Sequence, residues 1–353
     1  MRIGLDARLA GRGLGIAQFI TNLAAHLDPS LELVWFGDPG LAPRPLDAVR
    51  ADRLPHPALD LAWGRRLARG AGLDVMHFTA NTGWIDAGAP PFVLTVHDLM
   101  FMDTAVSGRS LRQVVGHRYA RWNVTRALAA AGAVATPSAF SAAEIGARGS
   151  VEAVVVPNGV DLERRPGRNP PLGESERPYA IAFSARDPRK GVELAVAGWR
   201  AAGRVPAQLR LLAGAGMPPG LEQDIAQDVS EGRIVVLPYL DRGRLHELLA
   251  GAAALIYASH EEGFGLPVLE AMAAGTPVIS GLAPATRELG GDAMLTIDAA
   301  DPVDSIAAAL KLIASEPRAA ASLVAAGLRR VEGYSWRACA DAYAELYREV
   351  ASA

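Results

Sequence analysis

Short apolar runs alternate with longer stretches of mixed apolar and polar residues along most of the chain. The runs of the first half are Ile3–Leu5, Leu33–Phe36, Val75–Phe78, Phe92–Val96, Val134–Thr136 and Val154–Val156. Those of the second half are Tyr179–Phe183, Leu209–Ala213, Ile234–Leu237, Ala254–Tyr257, Val278–Ser280 and Met294–Ile297. Buried parallel strands have this continuous apolar character, and helices connect them. The pattern therefore predicts an α/β protein with doubly wound parallel sheets.

The segment Pro157–Pro178 interrupts this alternation with five prolines and four arginines, and it predicts a linker between two domains. A chain of 353 residues is also long for a single domain. We therefore predict one Rossmann-like domain over residues 1–165 and a second over residues 166–336. The apolar spacing over Trp336–Val350 predicts an amphipathic helix.

Composition limits the partners and the compartment. Half of the residues are hydrophobic and the formal net charge is −3, so the chain has no basic footprint for nucleic acid. Its single cysteine, Cys339, excludes an internal disulfide and fits a reducing compartment. The sequence shows neither a secretory signal pattern nor an apolar run of about 20 residues. We expect a cytoplasmic protein.

The stretch Ser259–Ser280 carries the densest candidate chemistry. An apolar strand precedes it, Gly263 and Gly265 break the chain, and Pro267 opens a helix predicted over Val268–Ala274. This order places backbone N–H groups without partners at the positive end of a helix dipole, where a phosphate is stabilised. The N–H groups concerned are those of Gly263, Phe264, Gly265 and Leu266.

Two carboxylates bracket this loop, with seven residues between them. Glu270 is predicted in the first turn of the helix, where it can accept hydrogen bonds from a ribose diol. Glu262, on the strand side, can accept hydrogen bonds from a sugar. Taken alone, each glutamate has an equally good structural explanation: one is an ordinary helix cap and the other a solvated side chain.

A basic turn follows the first strand of the second series. Arg186, Arg189 and Lys190 lie close together there, and cations at a strand end can neutralise a diphosphate leaving group. A solvated basic turn explains the same residues equally well.

Two features of the first half are candidate ligand-binding residues because of where they lie in the chain. His97 follows the strand Phe92–Val96, and ligands of parallel sheets sit at such strand ends, although a lone histidine there is more often structural. Gly13 and Gly15 lie in a glycine loop after the first strand. Their φ freedom permits close approach of backbone to a ligand, but a plain flexible loop has the same composition.

A further basic stretch lies on a predicted helix of the first domain. Its members are Arg109, Arg112, His117, Arg118, Arg121 and Arg126, with Tyr119 and Trp122 between them. Such a face suits an anionic acceptor or peripheral contact with a membrane surface. A solvated helix face is the alternative.

Several catalytic motifs are missing from the sequence. It contains no Asp-x-Asp pair, no zinc-protease histidine pair and no G-x-S-x-G string. We therefore expect neither a metal-held diphosphate nor a serine hydrolase.

The string EGFGLPVLEAMAAGTPVI, from Glu262 to Ile279, resembles nearly residue for residue the signature of glycosyltransferase family 4. Members of that family are retaining enzymes with the GT-B fold. TVHDL around His97 and PRKG around Lys190 are similar to the family's strings at the same places. The resemblance covers nearly the whole chain and is densest from Ile234 to Asp298.

For the fold, the resemblance implies two Rossmann-like domains that face each other across a cleft. It also implies that a C-terminal helix, 337–353, returns to the first domain.

For the site, the resemblance implies that Glu262 and Glu270 hold the nucleotide sugar. It places Lys190 at the diphosphate and His97 beside the donor sugar and the acceptor. It places Gly13 and Gly15 over the diphosphate. The family's arginine is not located, because strict register puts Ala185 at its position; Arg186 or Arg189 substitutes for it, or neither does.

The implied reaction transfers a sugar, with retention, from a nucleotide diphospho-sugar to a saccharide, lipid-linked or small-molecule acceptor. It needs no metal and no cofactor. The strings around His97 and Lys190 lean towards users of GDP-mannose. Two alternatives stay open: a synthase that joins the sugar to a small polar metabolite, and a non-catalytic sugar-nucleotide-binding protein.

Overall fold

The computed structural model describes residues 1–11, 15–49, 64–83, 90–103, 111–149, 151–161 and 178–353. These residues form two compact units. The first combines Met1–Gly159 with Trp336–Ala353, and the second is Val160–Ser335. The boundary predicted between residues 165 and 166 lies outside the described residues.

The first unit contains a seven-stranded parallel sheet in the order β3-β2-β1-β4-β5-β6-β7. Its strands are β1 Arg2–Asp6, β2 Glu32–Phe36, β3 Asp47–Val49, β4 Val75–Phe78, β5 Phe92–Thr95, β6 Ala133–Thr136 and β7 Ala153–Val155. Among the described residues, its helices up to residue 149 are α1 Gly15–His26, α2 Gly64–Ala71, α3 Met100–Asp103, α4 Leu111–Ala130 and α5 Ala139–Gly149.

The second unit contains a six-stranded parallel sheet in the order β10-β9-β8-β11-β12-β13. Its strands are β8 Tyr179–Ala185, β9 Gln208–Ala215, β10 Ile234–Leu237, β11 Ala254–Ile256, β12 Val278–Ser280 and β13 Leu295–Thr296. Its helices are α6 Val192–Ala201, α7 Leu221–Asp224, α8 Ala226–Ser230, α9 Arg242–Ala250, α10 Leu266–Ala273, α11 Pro284–Gly290, α12 Pro302–Ser315 and α13 Pro317–Val331. The helix α14, Trp336–Ser352, belongs to the first unit.

The predicted α/β architecture with two parallel sheets is confirmed, and each predicted apolar run forms a strand. The sequence missed β3, because Asp47–Val49 is a three-residue edge strand with two exposed residues and therefore no apolar run. No helix in the described part of the chain is long and apolar enough to cross a membrane.

Strand order locates one crevice in each sheet. In the second unit β8 pairs with β9 on one side and with β11 on the other. In the first unit β1 lies in the same way between β2 and β4. Where the order reverses, the loops that follow the two central strands diverge, and ligands of doubly wound sheets bind there. The candidate residues after β8 and β11 therefore lie at the switch point of the second sheet.

A buried polar network ties α14 to the first sheet, and the sequence did not predict it. The imidazole of His77 is hydrogen-bonded through Nδ1 to the hydroxyl of Tyr347 and through Nε2 to Oγ1 of Thr95, at 2.7 Å each. Oγ1 of Thr95 is in turn 2.7 Å from the hydroxyl of Tyr343. All four side chains are buried, so each polar group depends on the others for its hydrogen bonds. The network fixes the position of α14 on the strands β4 and β5.

We expect this network to make the stability of the protein depend on pH. Burial lowers the pKa of His77 from 6.5 to about 3. Between these values the unfolded chain binds a proton that the folded chain does not, so acidification destabilises the fold by about 1.4 kcal/mol per pH unit. The variant His77→Gln should lose less melting temperature than wild type between about pH 7 and pH 5. The matched control is the exposed His260→Gln, which should keep the wild-type slope; an equal slope in all three proteins would contradict the assignment.

Candidate functional site

The glycine loop of the second unit leads directly into α10. Gly265 has φ 106° and ψ 47°, a left-handed conformation that glycine adopts without a steric cost. A Cβ at this position would lie 2.8 Å from Cγ2 of Thr286 on α11, so a side chain is excluded for a second reason. The N–H groups of Phe264 and Gly265 donate to no described residue, and that of Leu266 opens the helix without an intrahelical acceptor. The loop therefore presents N–H donors at the positive end of a helix.

The prediction that Glu270 lies in the first turn of the helix is wrong. The helix begins at Leu266, two residues before the predicted start at Val268, and Pro267 is inside its first turn. Glu270 is the fifth helical residue and lies in the second turn. After burial and the neighbouring Glu262, its charge also raises the pKa of Tyr257. Its position suits a group that lies deeper along the helix than the phosphate.

Glu262 and Lys190 form an ion pair, and Tyr257 is hydrogen-bonded to the same carboxylate. Nζ of Lys190 donates to Oε1 of Glu262 at 2.7 Å, and the hydroxyl of Tyr257 donates to the same oxygen. The Glu262 side chain is only 12% exposed, whereas that of Lys190 is 32% exposed. Burial, and then the charge of Glu262, raise the pKa of Tyr257 well above its usual range, which keeps the hydroxyl a donor. Oε2 of Glu262 has no partner among the described residues, and it can accept a hydrogen bond from a ligand.

The loops after β8 and β11 are held together by backbone contacts. The amide of His260 donates to the carbonyl of Arg189 at 2.8 Å. Gly191, with φ 64°, passes so close to the loop after β11 that a Cβ there would lie 2.1 Å from the carbonyl oxygen of Ala258. Lys190 is therefore held beside Glu262 by the backbone rather than by its ion pair alone.

The variant Gly191→Ala tests this close approach. We expect it to lower the free energy of unfolding by more than about 2 kcal/mol, because it adds a clash with the Ala258 carbonyl to the cost of a positive φ. Gly203→Ala is the matched control in the same unit: its φ is +77° and no atom lies within 4 Å of the added Cβ. It should cost about 1 kcal/mol. Urea denaturation measures both, and equal losses would show that the contact is relieved without cost.

The two arginines of the basic turn differ in their partners. Arg189 donates from Nε and Nη2 to the carboxylate of Asp187 and from Nη1 to Oε2 of Glu261 at 2.7 Å. These contacts raise the pKa of Arg189, and the Arg189 guanidinium lowers the pKa of Asp187. Arg186 is exposed and forms no ion pair with any described residue. It lines a cavity of about 340 Å³ with the segment Met217–Gly220 and the neighbouring Glu222 and Gln223.

His97 lies after β5 in the first unit and is half-buried. Its Nε2 is 2.8 Å from the carbonyl oxygen of Thr79. A carbonyl only accepts, so Nε2 carries the proton and Nδ1 carries the lone pair. Nδ1 has no hydrogen-bond partner among the described residues. Desolvation lowers the pKa of His97 from 6.5 to about 4, so the ring is neutral at neutral pH.

Asn81 positions the backbone around His97, and no sequence motif indicates this role. Its Oδ1 accepts from the amide of His97 at 2.9 Å, and its Nδ2 donates to the carbonyl of Asp98 at 3.2 Å. Asn81 itself has φ 60°, a conformation that asparagine tolerates better than most residues. An asparagine just after a buried strand is the signal that could have indicated this role.

The remaining candidates of the first unit are only partly described. Gly15 is the exposed first residue of α1, and Gly13 lies outside the described residues. In the basic stretch, Arg109 lies outside them as well, and α4 carries Arg118, Arg121 and Arg126 on its exposed surface. The guanidinium of Arg126 packs over the ring of Trp122 at 5.1 Å from its centre.

A buried ion pair between Asp6 and Arg8, at 2.6 Å, occupies the end of β1.

In the part of the chain that the structure describes, no group of three or more His, Cys, Asp or Glu side chains is arranged to hold a metal ion.

Comparison with known families identifies the class of protein. Residues 14–164 match the profile of glycosyltransferase family 4, and residues 178–315 match that of the glycosyl transferases group 1. The two matches together cover most of the chain. The chain belongs to the family 4 type of glycosyltransferases.

The curated relatives of this glycosyltransferase have several different activities. It is 27% identical to the D-inositol 3-phosphate glycosyltransferase of Geodermatophilus obscurus over 397 aligned positions, which take in 99% of this chain and 84% of that protein. It is 34% identical to the O-antigen chain mannosyltransferase B of Escherichia coli over 128 residues, 36% of this chain and 33% of that protein. The chain therefore spans only about a third of the length of that mannosyltransferase.

Solved structures show the same fold. The sucrose-phosphate synthase of Thermosynechococcus elongatus superposes with a TM-score of 0.70 over 99% of this glycosyltransferase and 98% of that chain, at 19% identity. The GT-B fold predicted from the sequence is thereby confirmed.

Proposed function

We propose that this glycosyltransferase transfers a sugar from a nucleotide diphospho-sugar to a hydroxyl of its acceptor, with retention at the anomeric carbon. One observation carries the proposal. Lys190, Glu262 and Tyr257 form a single cluster next to the loop that opens α10, where the N–H groups of Phe264 and Gly265 donate to no described residue. A cation, a hydrogen-bond acceptor and helix N-terminal donors are what a sugar joined to a diphosphate requires.

The donor site follows from these groups. Oε2 of Glu262 accepts a hydrogen bond from a hydroxyl of the donor sugar, while Oε1 stays paired with Lys190 and Tyr257. The N–H groups of Phe264, Gly265 and Leu266 receive the diphosphate. Glu270, one turn further along α10, accepts hydrogen bonds from the ribose diol.

Positive charge on the protein side stabilises the leaving group. Nζ of Lys190 has three N–H donors and one of them serves Glu262, so two are available for the departing phosphate. Arg186 supplies a second cation without breaking an ion pair among described residues. Lys190, Arg186 and the helix terminus can together balance the developing charge, so the proposed reaction proceeds without a divalent metal.

The proposed bond changes balance. The bond between the anomeric carbon and the diphosphate oxygen breaks, and a bond from the acceptor oxygen forms on the same face of the sugar. The acceptor hydroxyl gives its proton to the departing diphosphate. His97 offers the lone pair of Nδ1 to a hydroxyl at the reacting centre and takes part in no covalent step.

GDP-mannose is the donor that we propose first, and likeness to a mannosyltransferase supports it. For the acceptor, a second candidate class is favoured by one observation. The relative whose alignment spans 99% of this chain is named for a small polar acceptor, inositol 3-phosphate. A small polar metabolite is therefore the alternative to a saccharide or lipid-linked acceptor.

A nucleotide panel tests the donor site. The melting temperature is measured with UDP, GDP, dTDP and ADP, because a ligand that binds only the folded protein raises it. We expect one nucleotide to stabilise the protein clearly more than the others. Hydrolysis of the corresponding nucleotide sugar, followed by NMR, then reports the anomeric configuration of the released sugar. Absence of any stabilisation would overturn the donor site, and an inverted product would overturn retention.

Chemical labelling of Lys190 tests the same donor site directly. The chain contains only two lysines, Lys190 and the exposed Lys311. We expect the bound nucleotide to protect Lys190 from an amine-acetylating reagent and to leave Lys311 unprotected. Mass spectrometry of the two peptides measures this, and equal labelling with and without nucleotide would remove Lys190 from the diphosphate site.

The two arginines of the basic turn give opposite expectations. Arg186→Ala should weaken binding of the nucleoside diphosphate about tenfold, because a charge-assisted contact is lost, and should leave the melting temperature unchanged. Arg189→Ala should lower the melting temperature, since Asp187 and Glu261 both lose their partner, with a smaller effect on affinity. Isothermal titration and thermal unfolding separate the two. The reverse pattern would transfer the diphosphate contact to Arg189.

A further inference from the structure

A second cavity, in the first unit, lies outside the donor site. It has a volume of about 350 Å³ and is bounded by the segment after β4, by α3 and by α4. Its walls are Ala80, Asn81, Phe101, Gly116, Tyr119 and Ala120, together with Thr82. Ligand pockets in proteins begin at about 300 Å³, so the cavity is large enough for part of a small molecule.

Two hydrogen bonds connect the residues around the cavity to His97. Its wall residue Ala80 directly follows Thr79, whose carbonyl accepts from Nε2 of His97. Its wall residue Asn81 accepts from the amide of His97. The cavity therefore lies beside the carboxyl ends of β4 and β5, where one of its walls holds the backbone of His97.

The walls of the cavity are mostly apolar. Phe101, Ala80, Ala120 and the methylene backbone of Gly116 offer no side-chain hydrogen-bonding group. The amide of Asn81 already serves His97 and Asp98, and the hydroxyl of Tyr119 accepts from Nδ2 of Asn123 at 3.2 Å. Arg118, Arg121 and Arg126 of α4 are not among the lining residues that the structure describes. Thr82 adds one hydroxyl to the described wall, so the lining favours an apolar group and offers few hydrogen bonds to a sugar or a phosphate.

We propose that this cavity binds an alkyl or aryl group of the acceptor, attached next to the hydroxyl that receives the sugar. The inference rests on the proposed transfer reaction, and it narrows the acceptor class from the two candidates above to one with an apolar part. Burial of that group provides the affinity.

Paired glycosides test the proposal by binding alone. Saturation-transfer NMR with the full chain compares phenyl and hexyl mannopyranoside with methyl mannopyranoside, and the corresponding glucosides are compared in the same way. Within each set the sugar is constant and only the apolar group changes. We expect the phenyl and hexyl glycosides to bind about tenfold more tightly than the methyl glycoside, with saturation strongest on the apolar protons. Equal affinities within both sets, or no detectable binding of the phenyl and hexyl probes, would overturn the proposal.

The variant Gly116→Leu fills the cavity with little strain. No atom of the described residues lies within 4 Å of a Cβ built at Gly116, and leucine favours a helix more than glycine does. We expect the variant to lose the tenfold preference. Gly146→Leu is the matched control, a helical glycine of α5 whose nearest neighbour is 4.0 Å away and which does not line the cavity; it should keep the preference. If Gly116→Leu does not fold, Ala120→Leu replaces it, and a preference that survives the filling variant contradicts the site.

Binding of the nucleoside diphosphate separates this proposal from the preceding one. A protein that binds a nucleotide but shows no preference for apolar glycosides retains the proposed reaction and loses the acceptor pocket. A protein that prefers apolar glycosides but binds no nucleotide retains the pocket and loses the donor site.

Discussion

Replacing Lys190 with alanine should lower the turnover number by about 10²–10³-fold, the loss seen when a preorganised donor to a developing negative charge is removed. The affinity for the nucleoside diphosphate should fall much less, because the charge on the leaving oxygen is greatest in the transition state. Steady-state kinetics with the preferred nucleotide sugar, combined with titration of the free nucleotide, measures both quantities.

The scarcity of lysine in this chain provides a matched control for Lys190. Only two of the 35 Lys and Arg residues are lysines, and the other one, Lys311, lies exposed on α12. Lys311→Ala should therefore leave turnover unchanged. Lys190→Arg keeps the charge but replaces a compact ammonium with a planar fork, so it should restore only part of the turnover. If Lys190→Ala retains turnover within about threefold of wild type, the charge at the diphosphate comes from elsewhere.

Replacing His97 with alanine should lower turnover by about 10²-fold or more while nucleotide affinity stays near the wild-type value. The imidazole is neutral and aims an unshared lone pair away from its bond to Thr79, which suits a hydroxyl donor at the reacting centre. Loss of the one hydrogen bond from Nε2 should cost about 1 kcal/mol of stability. Kinetics and thermal unfolding of the same variant distinguish a catalytic loss from a structural one.

Two further measurements sharpen this prediction. His97→Asn retains an acceptor oxygen, so it should keep more turnover than the alanine variant. Protonation removes the lone pair of Nδ1, and the pKa of His97 is about 4, so wild-type turnover should decline only as the pH falls towards that value. An acidic decline near pH 6.5, or an alanine variant that is inactive because it melts much lower, would contradict the catalytic assignment.

The hydrophobic pattern was sufficient for the architecture, because buried parallel strands leave a strong apolar signal. It failed where that signal is absent. The strand Asp47–Val49 has no apolar run and is held at the edge of the sheet by backbone pairing with β2. The sequence predicts the start of α10 two residues late, because the left-handed conformation of Gly265 ends the loop earlier than the position of Pro267 suggests.

The site could be predicted only as a set of residues. The string around Glu262 and the turn at Lys190 were visible in the sequence, but not their ion pair, which depends on the adjacency of β8 and β11. Tyr257 was visible only as the last residue of an apolar run, with no sign that its hydroxyl reaches Glu262. Asn81 belongs to no recognisable motif. Its role arises from hydrogen bonds to the backbone of His97 and Asp98, which are distant from it in sequence.

The discontinuity of the first unit has a consequence for biosynthesis. The ribosome makes α14 only after all of Val160–Ser335, so a nascent chain has a first sheet whose His77 and Thr95 still lack the tyrosines of α14. Domains usually fold in the order in which they are translated. Here the second unit, encoded by one continuous segment, can complete its folding before the first. The amino-terminal sheet must wait, in an incompletely covered state, for the last part of the translated sequence.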